Sequence, residues 1–557
     1  MTVFSDNRAI NGSNFTVLGV SGNFGRPEHD ASAAIVIDGR VVAAAEEERF
    51  IRYKGAFGVM PDSAVKFCLR EAGISIDEVD VLAFPRSSWK GHELRLRAWC
   101  NVTFGGEPRE VRFVDHHLAH AACSALSSGL EEALCISFDM SGDGWSTAAY
   151  DWSSSTGFTY IDHYEFPNSL GIFAALVTQY LGFNGTEEEG KIMALAQTGE
   201  PCVDLSKWVR IDEDGFEFNR DMLHSEVFKR YPEFHTRQLP YFSSSWEKSL
   251  PFRRHRGAKI ESKHRDFAAS SQQVLNLASE AYIRRVSMRS SKRNLCIAGG
   301  VANNSVMNGR VLKNSEFKSV YVPSAPGDAG SSLGAALYVT FTSGCSIEPV
   351  VTSRLGPDIG QNNAERIREA GTFNVLKIDA DDMAVEVSKR ICNGQVLGIM
   401  NGRLEFGPRA LGGRSFITHP FREDSKKRLD KIKSRAWYRP FAPSLHPDEV
   451  RRTLRNHASA PFMSFTFDVQ KSDQDRISNA IAMDGSTRPQ TLCLGDGLIH
   501  DVAALVMEID GVGAVVNTSL NLSGEPIALG AAHGLNILSN TEMDALVVGD
   551  CLVTKRA

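Results

Sequence analysis

The chain has 557 residues, of which 42% are hydrophobic and 23% charged, enough for two to four domains at ~150 residues each. Its formal charge is −6, from 61 Lys and Arg against 67 Asp and Glu, which argues against a generally basic nucleic-acid binder. No run reaches the ~18 apolar residues of a membrane span, and the opening MTVFSDNRAINGSNF lacks the basic and apolar blocks of a signal peptide, so the sequence reads as that of a cytoplasmic protein.

In chain order, TVLGVSG at 16–22 reads as a strand ending in a glycine turn, and SAAIVI and VVAAA read as a hairpin closed by Asp38-Gly39. PDSAVKFCLREAG follows with helical spacing, then VDVLAF as another strand, so strands alternate with helices as in an α/β domain. ALCISF at 133–138, ending on Asp139 and MSGDGWS, begins a second similar unit and predicts a duplicated architecture. Residues 200–265 show little periodicity and are expected to form an insertion or irregular lobe. The α/β pattern resumes with the helical FAASSQQVLNLASEAYIRRV, the strand NLCIAGG and the strand–loop–helix SVYVPSAPGDAGSSLGAALYV. Turn residues between Gly344 and Gly356 mark a linker, placed at 346–355 between a first domain at 1–345 and a second at 356–557. The ten cysteines form no CxxC pair, and buried reduced thiols are expected, including Cys135, Cys296 and Cys493.

Four groups of residues could carry chemistry. In DHHLAHA, His116 and His120 stand at i and i+4, so on a helix they share a face and could hold one divalent ion with a strand-end acid such as Asp139. Such a nitrogen and carboxylate set suits iron(II), zinc or manganese; a pair of surface or core histidines is the competing reading. HExxH is not formed, because His117 stands where a metallopeptidase needs glutamate.

Glycine turns recur at strand ends, at GVSGNFG, SFDMSGDG, AGGVANN and PGDAG, where backbone amides can approach phosphate and acids such as Asp328 can hold a metal; ordinary βα turns are the alternative. GxxxxGK[ST] is missing, which argues against a P-loop ATPase. From Arg403 to Arg439, eleven Lys or Arg face four acids, a local +7 in 37 residues. Arginines spaced by Gly and Pro in GRLEFGPRALGGRS suit bidentate binding of phosphate or carboxylate, against the alternative of a solvated basic face. NTSLNLSGEPI reads as a strand running into a polar lip, and the acid runs at 46–48 and 187–189 read as solvated surface.

These segments, with HDASAA, EERFIRYKG, EEGKIMALA, KSRAWYRPFAPS and DGSTRPQT, lie in one order over nearly the whole chain, and together they resemble the NodU/CmcH family of O-carbamoyltransferases. The resemblance implies an α/β protein of two parts: a duplicated actin/Hsp70-like ATPase fold, similar to the tRNA threonylcarbamoyladenosine ATPase, and a C-terminal YrdC-like domain. It implies that carbamoyl phosphate and ATP, with Mg2+, form carbamoyl-adenylate in the C-terminal domain, and that the carbamoyl group then passes to a hydroxyl of a small molecule. By motif match, Arg409, Lys433 and Arg439 would be catalytic there, with Arg403, Arg414, Arg488, Asn517, Ser519 and Asn521 binding ATP and carbamoyl phosphate. In the N-terminal domain His116, His120, Asp139 and Asp328 would hold a divalent ion, iron(II) in the family, with zinc and manganese as alternatives. Gly142, Gly299, Gly300, Asn303 and Asn304 would face the adenylate, and His29 would hydrogen-bond the acceptor hydroxyl or take its proton. A homodimer is also implied, with no nucleic-acid or membrane partner. The sequence departs from the family pattern at Phe421 and Asp430 and in FGVMP after Lys54, which predicts altered phosphate contacts and an altered acceptor entrance.

Overall fold

The computed structural model describes residues 14–25, 28–225, 227, 240–250, 252–360, 363–369 and 371–556. The opening segment read for a signal peptide lies outside these residues up to position 13, as does part of the 200–265 lobe.

Two sheets of the same design make up the N-terminal half. In the first, β1 (Thr16–Ser21), β2 (Ser32–Ile37), β3 (Arg40–Glu46), β4 (Val81–Phe84) and β5 (Glu110–Phe113) lie in the order β3-β2-β1-β4-β5. The hairpin β2–β3 turns at Asp38 and Gly39, both with positive φ, as the Asp-Gly pair predicts. In the second, β6 (Glu132–Gly142), β7 (Trp145–Ser153), β8 (Gly157–Glu165), β11 (Asn294–Ala298) and β12 (Ser319–Tyr321) lie in the order β12-β11-β6-β7-β8. Each sheet is an antiparallel meander of three strands whose first strand continues into two parallel ones. This repeated topology is the expected duplicated ATPase-type fold. The helices His116–Ser128 and Asp328–Thr342, rich in Ala, Gly and Ser, pack between the sheets; small side chains let their backbones approach closely.

The described part of the 200–265 region holds more regular structure than its composition suggests. It contributes a short hairpin, β9 (Val209–Asp212) with β10 (Gly215–Phe218), and the helix Ser244–Ser249. Its Trp208, Phe216, Phe218 and Trp246 are buried in the second sheet's core, so aromatic burial fixes a segment that has no periodic pattern.

The C-terminal half is an eight-stranded mixed sheet flanked by helices, the α/β domain expected there. Its order is β13-β20-β19-β14-β15-β18-β16-β17, from β13 (Phe373–Lys377), β14 (Leu397–Met400), β15 (Arg414–Thr418), β16 (Ala442–Leu445), β17 (Gln490–Thr491), β18 (Ala514–Ser519), β19 (Ala545–Val548) and β20 (Cys551–Lys555). The segment between the halves carries no helix or strand but is tied at both sides: Ala44 N–H donates to the Leu355 carbonyl at 3.1 Å, and Phe406 N–H to that of Ser353 at 2.7 Å. All ten cysteines are free thiols; Cys135 and Cys296 are buried as expected, whereas Cys493 is exposed, because it lies in a surface turn ahead of a short 3-10 helix. Among the described residues no helix is long and apolar enough to cross a membrane.

Candidate active site

A cavity of about 1490 Å³ opens between the two halves. On the N-terminal side it is lined by loops at the carboxyl ends of strands. His29 lies between β1 and β2, Asp139 ends the regular part of β6, Gly300 and Asn303 follow β11, and Asp328 follows β12. Ends of adjacent parallel strands are where α/β sheets place ligands, since loops diverge there and leave a crevice.

Behind this wall, His116 and His120 project from one face of the helix His116–Ser128, as their spacing predicts. The helix is capped by the Asp115 carboxylate, which accepts from Leu118 N–H at 3.0 Å. The pairing of β6 with β7 breaks its register after Phe138, which swings Asp139 toward the imidazoles. His116 Nε2 lies 2.8 Å from Asp139 Oδ2, 3.1 Å from His120 Nε2 and 3.6 Å from Asp328 Oδ1. His120 Nε2 lies 3.6 Å from Asp139 Oδ2 and 3.4 Å from Asp328 Oδ1.

All four donor atoms fall within 4.8 Å of one another. Ligands ~2.1 Å from a tetrahedral zinc stand roughly 3.4 Å apart, so the two nitrogens and two carboxylates fit a divalent ion in spacing as well as in chemistry. Burial works against charge on Asp139, yet the two imidazoles hold its carboxyl well below the usual carboxylate range. His117, the next residue on the helix, is paired at Nδ1 with Ser137 Oγ at 3.0 Å and is pushed down to about 3 by burial and His116.

His29 Nδ1 pairs with Asp30 Oδ2 at 2.9 Å. Burial opposes charge on the ring, but Asp30, with Asp328 and Asp139 behind it, raises it to about 10. Of the glycines and asparagines expected beside it, Gly300, Asn303 and Asn304 line the cavity. Asn304 caps the helix Ser305–Asn314 and pairs with Gln272 at 2.9 Å, so its amide is committed to structure as well. Gly142 and Gly299 do not reach the cavity. Gly299 backs onto the Phe138 carbonyl, and Gly142 lies against the His116 imidazole, where a β-carbon would come within 1.9 Å of Cδ2.

The opposite wall is a concentration of cations: Arg409, Lys433, Arg435, Arg439 and Arg488. Lys433 Nζ donates to the Ser519 carbonyl, the Asn521 carbonyl and Asn521 Oδ1, each at 2.7 Å. Burial, then the charges of Arg435 and Arg439, holds its ammonium well below the usual range. Burial and the charges of Arg409, Arg435 and Arg439 lower Arg488, and burial with the charge of Arg439 brings Arg409 down to about 10 and Arg435 to about 9. Arg409 also crosses to the N-terminal wall, donating to the Asn303 carbonyl at 3.3 Å. Asn517, Ser519 and Asn521 line this wall.

Arg403 and Arg414 stand elsewhere. Arg403 donates to the carbonyls of Gly356, Val42 and Leu355 at 2.9, 3.1 and 2.6 Å. Arg414 is wholly buried and donates to those of Gly402 and Pro357 at 2.9 and 3.3 Å. Arg403 binds backbone where the halves join and Arg414 binds backbone within the C-terminal half, uses that a count of charges cannot distinguish from phosphate binding. Phe421 and Asp430 are likewise not in the cavity wall: Phe421 packs against a hydrophobic cluster and Asp430 pairs with Lys426 at 2.6 Å. Phe57, in the altered FGVMP stretch, does line the cavity, against His29 with ring centroids 5.6 Å apart. Arg435, Arg52, Lys54 and Glu189 also line the wall but were not singled out as site residues from the sequence. In the sequence they are marked only by the family-like segments KSRAWYRPF, EERFIRYKG and EEGKIMALA.

Comparison with known proteins matches the family description Carbamoyltransferase N-terminus over residues 16–96 and 103–337, and Carbamoyltransferase C-terminus over 388–555. The chain is similar to nodulation protein NolNO of Sinorhizobium fredii, with 31% identity covering 95% of this chain and 79% of that one. It is similar to nodulation protein NolO of Bradyrhizobium diazoefficiens, with 30% identity covering 80% and 79%. Among solved structures, full-length HypF in its phosphate- and nucleotide-bound form aligns with TM-score 0.38 and 13% identity, over 60% of this chain and 56% of that one. With both halves matched in order, the chain belongs to the carbamoyltransferase family and is a carbamoyl-transferring enzyme.

Proposed function

We propose that the protein is an ATP-dependent O-carbamoyltransferase that forms carbamoyl-adenylate at the cationic wall and transfers its carbamoyl group to a hydroxyl of a small molecule at the His/Asp wall. The observation that carries this reading is the single cavity lined on one side by Arg409, Lys433, Arg435, Arg439 and Arg488 and on the other by His29, Asp139 and Asp328. Buried cations crowded together are costly unless an anion joins them; ATP and carbamoyl phosphate supply that charge.

In the first step carbamoyl phosphate, ATP and water give carbamoyl-adenylate, phosphate and pyrophosphate. Arg409, Arg439 and Arg488 bind the phosphate oxygens in fork geometry, and their charge offsets the negative charge that builds as pyrophosphate leaves. Lys433 is fixed by Ser519 and Asn521, so its ammonium is oriented before substrate arrives. In the second step the acceptor hydroxyl oxygen attacks the carbamoyl carbon, the bond from that carbon to the adenylate phosphate oxygen breaks so that AMP leaves, and the hydroxyl proton passes to the departing phosphate or to water. His116, His120, Asp139 and Asp328 would hold a divalent ion, iron(II) or else zinc or manganese, which when bound supplies Lewis-acid charge for the adenylate phosphate and carbonyl. Asp30 fixes the His29 ring through Nδ1. That assigns Nε2 to the acceptor hydroxyl, which it orients for attack.

The test is turnover without acceptor. Protein supplied with Mg-ATP and carbamoyl phosphate should release pyrophosphate and yield carbamoyl-AMP by mass spectrometry. Bound ATP with neither product would overturn the reading.

A further inference from the structure

The segment Glu46–Gly55, whose acids read as solvated surface in the sequence, is instead a junction between the halves. Glu46 is buried, and its Oε1 accepts from Gly407 N–H at 3.0 Å and from Arg49 Nη2 at 3.0 Å. Arg49 Nη2 also donates to the Gly407 carbonyl at 2.9 Å, two residues before Arg409. Glu48 Oε2 accepts from Gly55 N–H at 2.6 Å, and the Gly55 carbonyl accepts from Asp30 N–H at 2.6 Å, beside His29.

Arg52 ends the short helix Glu48–Ile51 in the left-handed region, with φ +56° and ψ +28°. That conformation costs a non-glycine residue free energy and needs a compensating contact. The contact lies across the domain boundary. Arg52 Nη1 donates to the Ile527 carbonyl at 2.6 Å and Nη2 to the Pro526 carbonyl at 2.8 Å.

Pro526 and Ile527 close the loop that begins at Ser519. Within it Asn521 Nδ2 donates to the Glu525 carbonyl at 2.6 Å, while the Asn521 oxygens receive Lys433. Lys54, two residues beyond Arg52, lies close enough to Lys433 for its charge to bear on that ammonium. A chain of contacts therefore runs from Arg52 through the loop carbonyls to Asn521 and Lys433.

We propose that the adenylate-forming site is completed from the N-terminal domain: Arg52 is a positioning residue that holds the Ser519–Ile527 loop, and so Lys433, in the geometry that binds ATP and carbamoyl phosphate. The inference rests on the two-step reading above but makes a separate demand, because it places a determinant of the first step outside the C-terminal domain. A charge-assisted donor bound to two carbonyls is worth a large factor in a binding constant, and its loss falls on substrate binding more than on the chemical step.

The experiment compares wild type, Arg52→Ala and Arg52→Lys in acceptor-free pyrophosphate release, with ATP and carbamoyl phosphate varied in turn. Arg52→Ala should raise KM for one or both substrates on the order of tenfold, with a smaller change in kcat and unchanged metal content. Arg52→Lys should recover part of the KM. Wild-type KM in Arg52→Ala, or a lowered melting temperature with unchanged kinetics, would overturn the proposal. If Arg52→Ala does not fold, Arg52→Gln, which keeps one donor, is judged by the same criteria. If the wild type releases no pyrophosphate, the adenylation reading fails; Arg52 is then judged by calorimetric affinity for ATP, which Arg52→Ala should still weaken and which, if unchanged, overturns the proposal.

Discussion

Replacing Gly142 by alanine tests the metal cluster through one added methyl group. A β-carbon there would stand 1.9 Å from His116 Cδ2, 2.2 Å from Cγ and 2.7 Å from Nε2, where ordinary contact begins at 3.4 Å. The ring must therefore retreat by about 1.5 Å, while a metal–ligand bond tolerates roughly 0.2 Å. Gly142 is not among the glycines with positive φ, so alanine adds no backbone strain and the effect belongs to the contact. Metal affinity should fall by about 100-fold or more, beyond the 10–100-fold typical of losing only an outer partner of a ligand. Competition with a chelator followed by elemental analysis reads this directly. Overpacking also costs about 1–3 kcal/mol of stability, so the double variant Gly142→Ala/His116→Ala serves as control. It should recover melting temperature, because the clash is gone, without recovering metal. Gly142→Ala protein that binds metal with wild-type affinity and stoichiometry would refute both the cluster and the role of Gly142 in shaping it.

Other outcomes follow from the two-walled cavity. Arg439→Ala should lower acceptor-free pyrophosphate release by about 100-fold or more while leaving metal content unchanged; retained release would remove Arg439 from the first step. His120→Ala should do the reverse, keeping pyrophosphate release and losing metal and transfer, and normal transfer by this variant would sink the metal assignment. The buried carboxyl of Glu46 is raised by burial, against the pull of Arg49, from 4.5 to about 7. Because its folded value exceeds the unfolded one, the folded state holds the proton more tightly, and stability is full below about pH 4.5 and falls as pH rises through 7. The effect is at most about 3 kcal/mol. Glu46→Gln should flatten this part of the melting-temperature profile, and identical slopes in the two proteins would disprove it.

Half of the site was readable locally. An i, i+4 spacing puts His116 and His120 on one helical face whatever surrounds them, because helix geometry relates residues four apart. The Asp38-Gly39 turn, the apolar strands and their alternation with helices are local patterns of the same kind. The strand-end turns offered Asp139 and Asp328 and the Gly- and Pro-spaced run offered the arginines, and the family segments joined them into one reaction, though none of these showed what each touches. Charge counts were the weakest guide: Arg403 and Arg414 carry the same guanidinium as Arg439, and only their neighbours show that they bind backbone carbonyls, Arg403 at the domain junction and Arg414 within the C-terminal half.

Sequence alone therefore determined the two-part α/β plan, the histidine pair and the basic stretch from Arg403 to Arg439. The tertiary structure decided the rest. Asp139 and Asp328 meet because β6, β11 and β12 lie side by side and parallel, so their carboxyl ends share one edge, a pairing set by packing across distant segments. It also turned the acids at 46–48 from a solvated run into a buried junction and placed Arg52 on the far domain's loop. Such contacts join residues hundreds of positions apart, and no local periodicity encodes them.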